Sequence, residues 1–352
     1  MEINPEKITL AREARGLTQK ELSLQLDIVQ GTLSKIEQGL QNVSDDLLKK
    51  LSEILGFPIS FFSLSNKVHS PDVIYFRKRL TMPKKTTMKA EARMNIIRIV
   101  IERLLENVEI TEPDIPSWDV LENGPPKFAA QFLRSKWKIP KGRIDNLTSL
   151  MEQKGIIVIP LDFESKKIDG ISMLSEKIYP IVFLNSIMPS DRQRLSLAHE
   201  LGHLVMHFGK VVSFERDLEK EAFEFASEFL VPGIEFKNLS SPIDLRFLAN
   251  QKLYWKVSMA SLLFRVKDLK MATDNQLRYL WSQMSTLGYK TSEPIEFDIP
   301  KENPTMVKDI FDVHFNDLNY NKDEISSLTC LYWNELEKLL VPDQKIPLRI
   351  IR

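Results

Sequence analysis

The chain has 352 residues, 43% of them hydrophobic, which is enough for real cores and for two or three domains. Its 48 basic residues balance 48 acidic ones, so a global attraction to nucleic acid or membrane is excluded and any affinity for DNA must be local. The single cysteine, Cys330, excludes an internal disulfide and any cysteine-based metal cluster, and reads as an ordinary buried small residue. The opening MEINPEKITL lacks the apolar core of a signal peptide, and the longest apolar stretch, 155–161, is far too short to span a bilayer. A cytoplasmic protein with no membrane partner is expected.

From the N-terminus, Leu17-Thr18-Gln19-Lys20-Glu21-Leu22 leads through Leu26-Asp27-Ile28 to Gly31-Thr32-Leu33-Ser34-Lys35-Ile36-Glu37-Gln38-Gly39. By period, Leu22 and Leu26 anchor one short helix, Leu33 and Ile36 anchor the next, and Gly39 ends it. Two short helices with a tight turn between them predict a helix-turn-helix. The string resembles the Xre (phage-repressor-like) family of DNA-binding domains over residues 5–65, with Leu47, Leu48, Leu51, Ile54 and Leu55 closing the bundle. The resemblance implies that the second helix of the motif enters the major groove. Gln30, Gly31, Ser34 and Lys35 then stand at base-reading positions, and Gln19 at a backbone- and base-proximal one.

Charge is distributed unevenly over this region. Residues 1–66 hold 7 Lys/Arg against 9 Asp/Glu, whereas residues 67–103 hold 10 against 3. Arg77, Lys78, Arg79, Lys84, Lys85, Lys89 and Arg93 could therefore supply phosphate contacts beside the helix-turn-helix. A solvated face of a long linker helix explains the same run equally well. Gly31 contributes no side chain where a reader of base edges has one, so a partner-assisted or dimer-forming use of the domain stays open.

Residues 88–109 predict a long helix, and 112–126, with four prolines, a crossing segment that closes it. Helices are expected near 127–138 and 143–154, then strands at 155–160, 170–174 and 180–184. Next comes His199-Glu200-Leu201-Gly202-His203. At about 100° per residue, histidines four apart lie one turn above each other on one helix face, so both imidazoles can reach one cation. Neutral imidazole suits zinc, and the adjacent glutamate can deprotonate a metal-activated water. His207 continues the spacing but stands about 12 Å along the axis from His199, too far to share the ion. It reads as a packing or supporting residue.

The following segment, 218–230, is rich in glutamate: Glu219, Glu221, Glu224 and Glu228. On a helical wheel Ala222, Phe223, Phe225, Ala226, Phe229 and Leu230 define the apolar side, and only Glu219 falls near its centre. The other three are expected to face water. A carboxylate aimed at a core needs a partner, and zinc would be one. Glu215 has the same angular phase one turn earlier and is the alternative.

Residues 192–208, RQRLSLAHELGHLVMHF, followed by 219–232, EKEAFEFASEFLVP, resemble the ImmA/IrrE family of zinc metallopeptidases, which joins an H-E-x-x-H helix to an E-x-x-A-N-x-F-A-x-x-L-L-M-P helix. The resemblance implies His199, His203 and Glu219 as zinc ligands and Glu200 as catalytic general base. Phe223 stands where the family commonly has Asn or Asp, and Val231 where it commonly has Met. A small sheet beside such a helix is the zincin plan, and an edge strand there would let a substrate peptide add itself in extended form.

Beyond Pro232 the pattern is helical at 245–255, 258–269 and 275–284, and again from 307 to 340 after Pro294, Pro300 and Pro304. Trp255, Phe264, Tyr279 and Trp281 read as core. The expected fold is α+β and mainly α, in four parts: a helix-turn-helix domain at 1–66, a basic helical linker and crossing segment at 67–126, a zincin-like domain with a small sheet at 127–239, and a helical region at 240–352. Two functions fit. In one, a zinc peptidase, latent until a signal arrives, cleaves a helix-turn-helix repressor or similar partner and so controls stress, mobile-element or defence genes. In the other, a DNA-binding regulator or antitoxin-like protein, with a toxin partner, keeps a structural or idle zinc site. Homodimer formation is left open in both.

Overall fold

The local sequence starts and stops the N-terminal helices. In a computed structural model describing residues 2–69, 83–176, 179–209, 216–239 and 242–340, α1 (Pro5–Ala14) begins with Asn4 accepting the amide of Glu6 and with proline in its first turn. Helix α2 (Gln19–Gln25) opens on a reciprocal capping box between Thr18 and Glu21. Asp27, at φ 56°, turns the chain toward α3 (Gln30–Glu37). Helix α4 (Asp45–Leu55), capped by Ser44, stops at Gly56 in the left-handed conformation. Leu22, Leu26, Leu33, Ile36, Leu48, Leu51 and Leu55 are buried together, as their period predicts, while Leu47 and Ile54 are half-buried. Helix α5 (Lys84–Leu104) starts a turn before the first periodic apolar residue, directly after Pro83, and stops short of 109.

The described residues fall into two units. One gathers those of Met1–Ile110, Met173–Ile181 and Thr305–Arg352, the other those of Thr111–Ser172 and Val182–Pro304. Helices α6 (Val120–Asn123), α7 (Pro126–Lys136) and α8 (Leu147–Gln153) of the second unit precede the sheet strands β1 (Ile157–Leu161), β2 (Gly170–Leu174) and β3 (Pro180–Asn185), of which Met173–Leu174 and Pro180–Ile181 are grouped with the first unit. The strand expected at 155–160 begins two residues later. Gly155 sits at φ 75°, and a Cβ there would meet Thr111 O at 2.5 Å, so this glycine turns the chain out of α8 instead of entering the strand. The strand order is β1-β3-β2, which leaves β2 at an edge. The 175–179 connection between β2 and β3 is too short for a parallel crossover, so the two run antiparallel.

Helices α9 (Ser190–Met206), α10 (Leu218–Leu230), α11 (Gly233–Lys237), α12 (Leu245–Trp255), α13 (Met259–Asp268) and α14 (Asp274–Thr286) complete this unit. Its core joins Leu133, Leu197, Leu201, Val205, Phe225 and Phe229, drawn from α7, α9 and α10. The N-terminus of α9 is held by charge: Lys252 Nζ on α12 donates to Asp191 Oδ2 at 2.6 Å and to Glu293 Oε2 at 2.7 Å. Trp255 is core as expected, but Phe264 is 58% exposed and Tyr279 64% exposed, with Trp281 half-buried. Each of the first two lies about 200° around its helix from the residue two positions earlier, Leu262 or Leu277, that faces the core.

Returning to the first unit, the final helical stretch is three pieces: α15 (Met306–Asp312), which runs into a π-turn at Val313–Asp317, α16 (Lys322–Thr329) and α17 (Trp333–Leu340). Asn319 and Cys330, both at φ 55°, make the breaks. Cys330 is buried. Arg15 pairs with Glu335 at 2.8 Å and so ties α17 to the N-terminal helices. The fold is α+β and mainly helical, and among the described residues no helix is long and apolar enough to cross a membrane.

Candidate metal centre and nucleic-acid interface

Helix α9 is buried over most of its length, which forces its polar side chains to find partners inside the unit. His199 Nε2 and His203 Nε2 stand 3.0 Å apart, one turn from each other. Glu219, in the first turn of α10, brings Oε2 to 3.4 Å from His199 Nε2 and Oε1 to 3.4 Å from His203 Nε2. These three residues form a group able to hold a metal ion. Donors about 2.1 Å from a tetrahedral zinc lie about 3.4 Å from each other, so the triangle has the right size. His199 Nδ1 is buried with no hydrogen-bond partner, which leaves the polar engagement of that ring on its Nε2 edge, inside the triangle. Burial alone would raise the pKa of Glu219, but the hydrogen bonds with His199 and His203 outweigh it and hold the carboxyl well below its usual range.

Helices α9 and α10 approach closely because of one glycine. A Cβ on Gly202 would meet Phe225 Cδ1 at 3.0 Å and the Cα of Ala222 at 3.3 Å. Phe223, 41% exposed, lays its ring 4.2 Å from that of His199. It covers the His199 ring with an apolar surface where the resembling family commonly carries a polar side chain.

Glu200, buried beside the triangle, accepts a hydrogen bond from Ser172 Oγ at 2.8 Å. Strand β2 also passes Gly170 close by, where a Cβ would stand 3.3 Å from Glu200 Cγ. Sequence reasoning alone does not single out Ser172. Its signal is a polar residue in an otherwise apolar strand, two positions after a glycine and therefore on the same face.

Two glutamates depart from expectation. Glu228 does not face water: it is buried, accepts from Gln131 and Gly233, and pairs with Arg265. The wheel places it by phase within its own helix, but α7 and α13 wrap the C-terminal turns of α10 and enclose it. Glu221 also turns inward, to His207 Nε2 at 2.9 Å, and takes Arg216 Nη2 at 2.6 Å. Its carboxyl is held low: burial would raise it, and the hydrogen bonds from Arg216 and His207 prevail. Burial, followed by neighbouring His203, pushes His207 down to about 4, so that ring is neutral. Glu224 is half-buried, and Glu215 lies outside the described residues.

In the helix-turn-helix, Gln30, Gly31 and Lys35 are exposed on α3, and Ser34 is half-buried with the Gln38 amide donating to its hydroxyl at 3.3 Å. Gln19 begins α2, and its amide donates to Glu37 Oε2 at 2.8 Å. Glu37 also takes Arg12 Nε at 2.6 Å, and this link fixes α3 against α1. A cavity of about 540 Å³ beside these residues is lined by Thr18, Gln19, Lys20, Gln30, Lys84 and Lys85 among others, which brings the start of α5 next to the motif. Arg77, Lys78 and Arg79 lie outside the described residues.

The chain thus sets a helix-turn-helix fold ahead of a domain in which two histidines and a glutamate form a group able to hold a metal ion. Residues 8–62 match the helix-turn-helix family model, and residues 151–267 match the Peptidase M78 model, described as the IrrE N-terminal-like domain. The chain therefore carries an Xre-type helix-turn-helix domain and an IrrE-like peptidase domain in one polypeptide. No curated protein matches it.

Proposed function

We propose that the protein is a zinc-dependent regulatory endopeptidase that binds DNA through its N-terminal domain and cleaves a helix-turn-helix repressor or similar partner, controlling stress, mobile-element or defence genes. The observation that carries this reading is the convergence of His199, His203 and Glu219 next to a carboxylate, Glu200, that is not part of their triangle. A structural site has no need of such a base.

His199, His203 and Glu219 would hold a zinc ion, which would supply Lewis acidity toward water and a peptide carbonyl. Glu200 takes the proton of the attacking water and returns it to the leaving amine. Ser172 holds the Glu200 carboxylate by its Oε2 and leaves Oε1 to face the proton. The edge strand β2 offers main-chain groups to which an extended substrate segment pairs beside Glu200. In this reading Gln19, Gln30, Gly31, Ser34 and Lys35 form the DNA-reading set, and Lys84 and Lys85 beside them supply phosphate contacts, Lys85 by leaving its ion pair with Glu21.

Glu200→Gln tests the reading. It keeps size and hydrogen bonding but cannot take the proton, so the variant holds zinc, loses cleavage and traps the uncut partner. A Glu200→Gln protein that regulates its genes as the parent does under the inducing stress overturns the peptidase and leaves the antitoxin-like regulator with an idle metal.

A further inference from the structure

Phe223 stands one turn after Glu219 on α10, so the two side chains share a face of that helix. Its ring lies with its centroid 4.2 Å from that of His199, the two planes tilted by 49°. The residue is nevertheless 41% exposed, whereas Ala222, Phe225 and Ala226 beside it on the helix are fully buried. A phenylalanine left in water forgoes much of the burial that makes the residue stabilising. Phe223 is therefore an apolar surface open to solvent and in contact with one residue of the metal triangle. We propose that Phe223 determines specificity, as the platform on which an apolar substrate side chain, one of the two flanking the scissile bond, packs. The proposal rests on the peptidase reading of His199, His203, Glu219 and Glu200.

Reach supports the assignment. A peptide carbonyl carbon is one bond from its own Cα and two bonds from the next, so both flanking side chains begin close to the reacting atom. A bond cut beside Glu200 then carries those side chains into the surroundings of His199, its neighbour in the chain. Polar groups there are already engaged: Ser172 Oγ donates to Glu200 Oε2 at 2.8 Å, and the Glu219 carboxylate spans His199 and His203 at 3.4 Å from each. The Phe223 ring offers a substrate no conventional hydrogen bond. A polar side chain laid on it gives up water without replacement, while an apolar one withdraws two apolar surfaces from water at once. Leucine and asparagine are close in shape, and at this flank the difference between them is expected to be about 10–100-fold in favour of leucine.

The test uses the full chain loaded with zinc and a synthetic library of extended peptides, with the residues flanking each cut read by mass spectrometry. The parent is expected to cut beside leucine, methionine or phenylalanine, on one consistent side of the bond. Two peptides that differ only by Leu or Asn at that position are then bound to Glu200→Gln, in which the cut is blocked. Fluorescence anisotropy is expected to find the Leu peptide about 10–100-fold tighter. Adding Phe223→Gln brings the ratio toward one, and adding Phe223→Leu keeps it. Phe223→Ala removes the ring without adding a polar group, lowers the ratio as well, and decides the matter should the glutamine variant misfold. Zinc content stays that of the parent throughout. A parent that cuts without regard to the flanking side chain, or a ratio unchanged in Phe223→Gln and Phe223→Ala, overturns this proposal alone. So does a Phe223→Gln chain that loses zinc yet keeps the preference, because Phe223 is then only a cover for His199. A parent that cuts no peptide, and whose Glu200→Gln form binds none, overturns the peptidase reading and this proposal with it.

Discussion

The hydroxyl of Ser172 lies 2.8 Å from Glu200 Oε2, so a residue of the edge strand, buried and 28 positions earlier in the chain, holds the carboxylate next to the metal triangle. Removing that bond and removing the base have different signatures. Glu200→Gln is expected to reduce cleavage by about 10²–10⁴-fold with zinc retained. Ser172→Ala is expected to reduce kcat by about tenfold, the worth of one hydrogen bond to a charged group, again with zinc retained. Mass spectrometry of a digested peptide library reads both. Equal activity in Ser172→Ala and parent removes Ser172 from the account.

The ligand assignment predicts one zinc per chain in the purified parent. His199→Ala, His203→Ala and Glu219→Ala each lose most of it, and Glu224→Ala does not. Metal analysis by mass spectrometry checks this, and full zinc in Glu219→Ala moves the third ligand elsewhere.

Lys252 gives a prediction in pH. Burial lowers its pKa, but the hydrogen bonds with Asp191 and Glu293 outweigh burial and raise it above its ordinary value of 10.5. A raised folded-state pKa contributes stability that is fully present below 10.5 and is lost as pH climbs through the folded value. Lys252→Met leaves two carboxylates unpaired and is expected to cost about 3–5 kcal/mol near neutral pH. In urea unfolding, the gap between parent and variant narrows above pH 10.5. A gap that stays constant across that range contradicts the sign.

For the N-terminal domain, Gln30→Ala is expected to relax base preference at one operator position by about 1–3 kcal/mol of discrimination. Lys84→Ala and Lys85→Ala should weaken binding to all sequences alike and reduce the log–log salt slope by about one unit for each phosphate no longer neutralised. Anisotropy titrations over a salt series measure both. Binding with no sequence preference at low salt leaves the domain as a dimerisation or docking module.

Where the sequence is legible, the signal is local and periodic. The boundaries of α10 and α12, the strand at 170–174 and the buried leucines of the helix-turn-helix all follow from spacing and caps. The meeting of His199, His203 and Glu219 follows from helix phase as well. What a wheel cannot contain is the neighbour. Glu228 looks solvent-facing until α7 and α13 close over it, and Glu221 does so until His207 reaches it. Ser172 meets its partner through sheet-to-helix packing, and the return of Thr305–Leu340 to the N-terminal unit has no local signature at all.

Shorthand such as H-E-x-x-H treats its inner letters as blanks, and in this chain the second blank carries information. Gly202 is where α9 and α10 touch, with Phe225 and Ala222 standing where a methyl group would go. A branched residue there must push α10 outward, and Glu219 rides on α10, away from both histidines. A relative that spells both histidines and the glutamate correctly but writes a bulky letter at this position, opposite the same Ala222 and Phe225, has the motif in name only. The residue with no side chain is thus the one to read when deciding whether such a string can still gather its ligands.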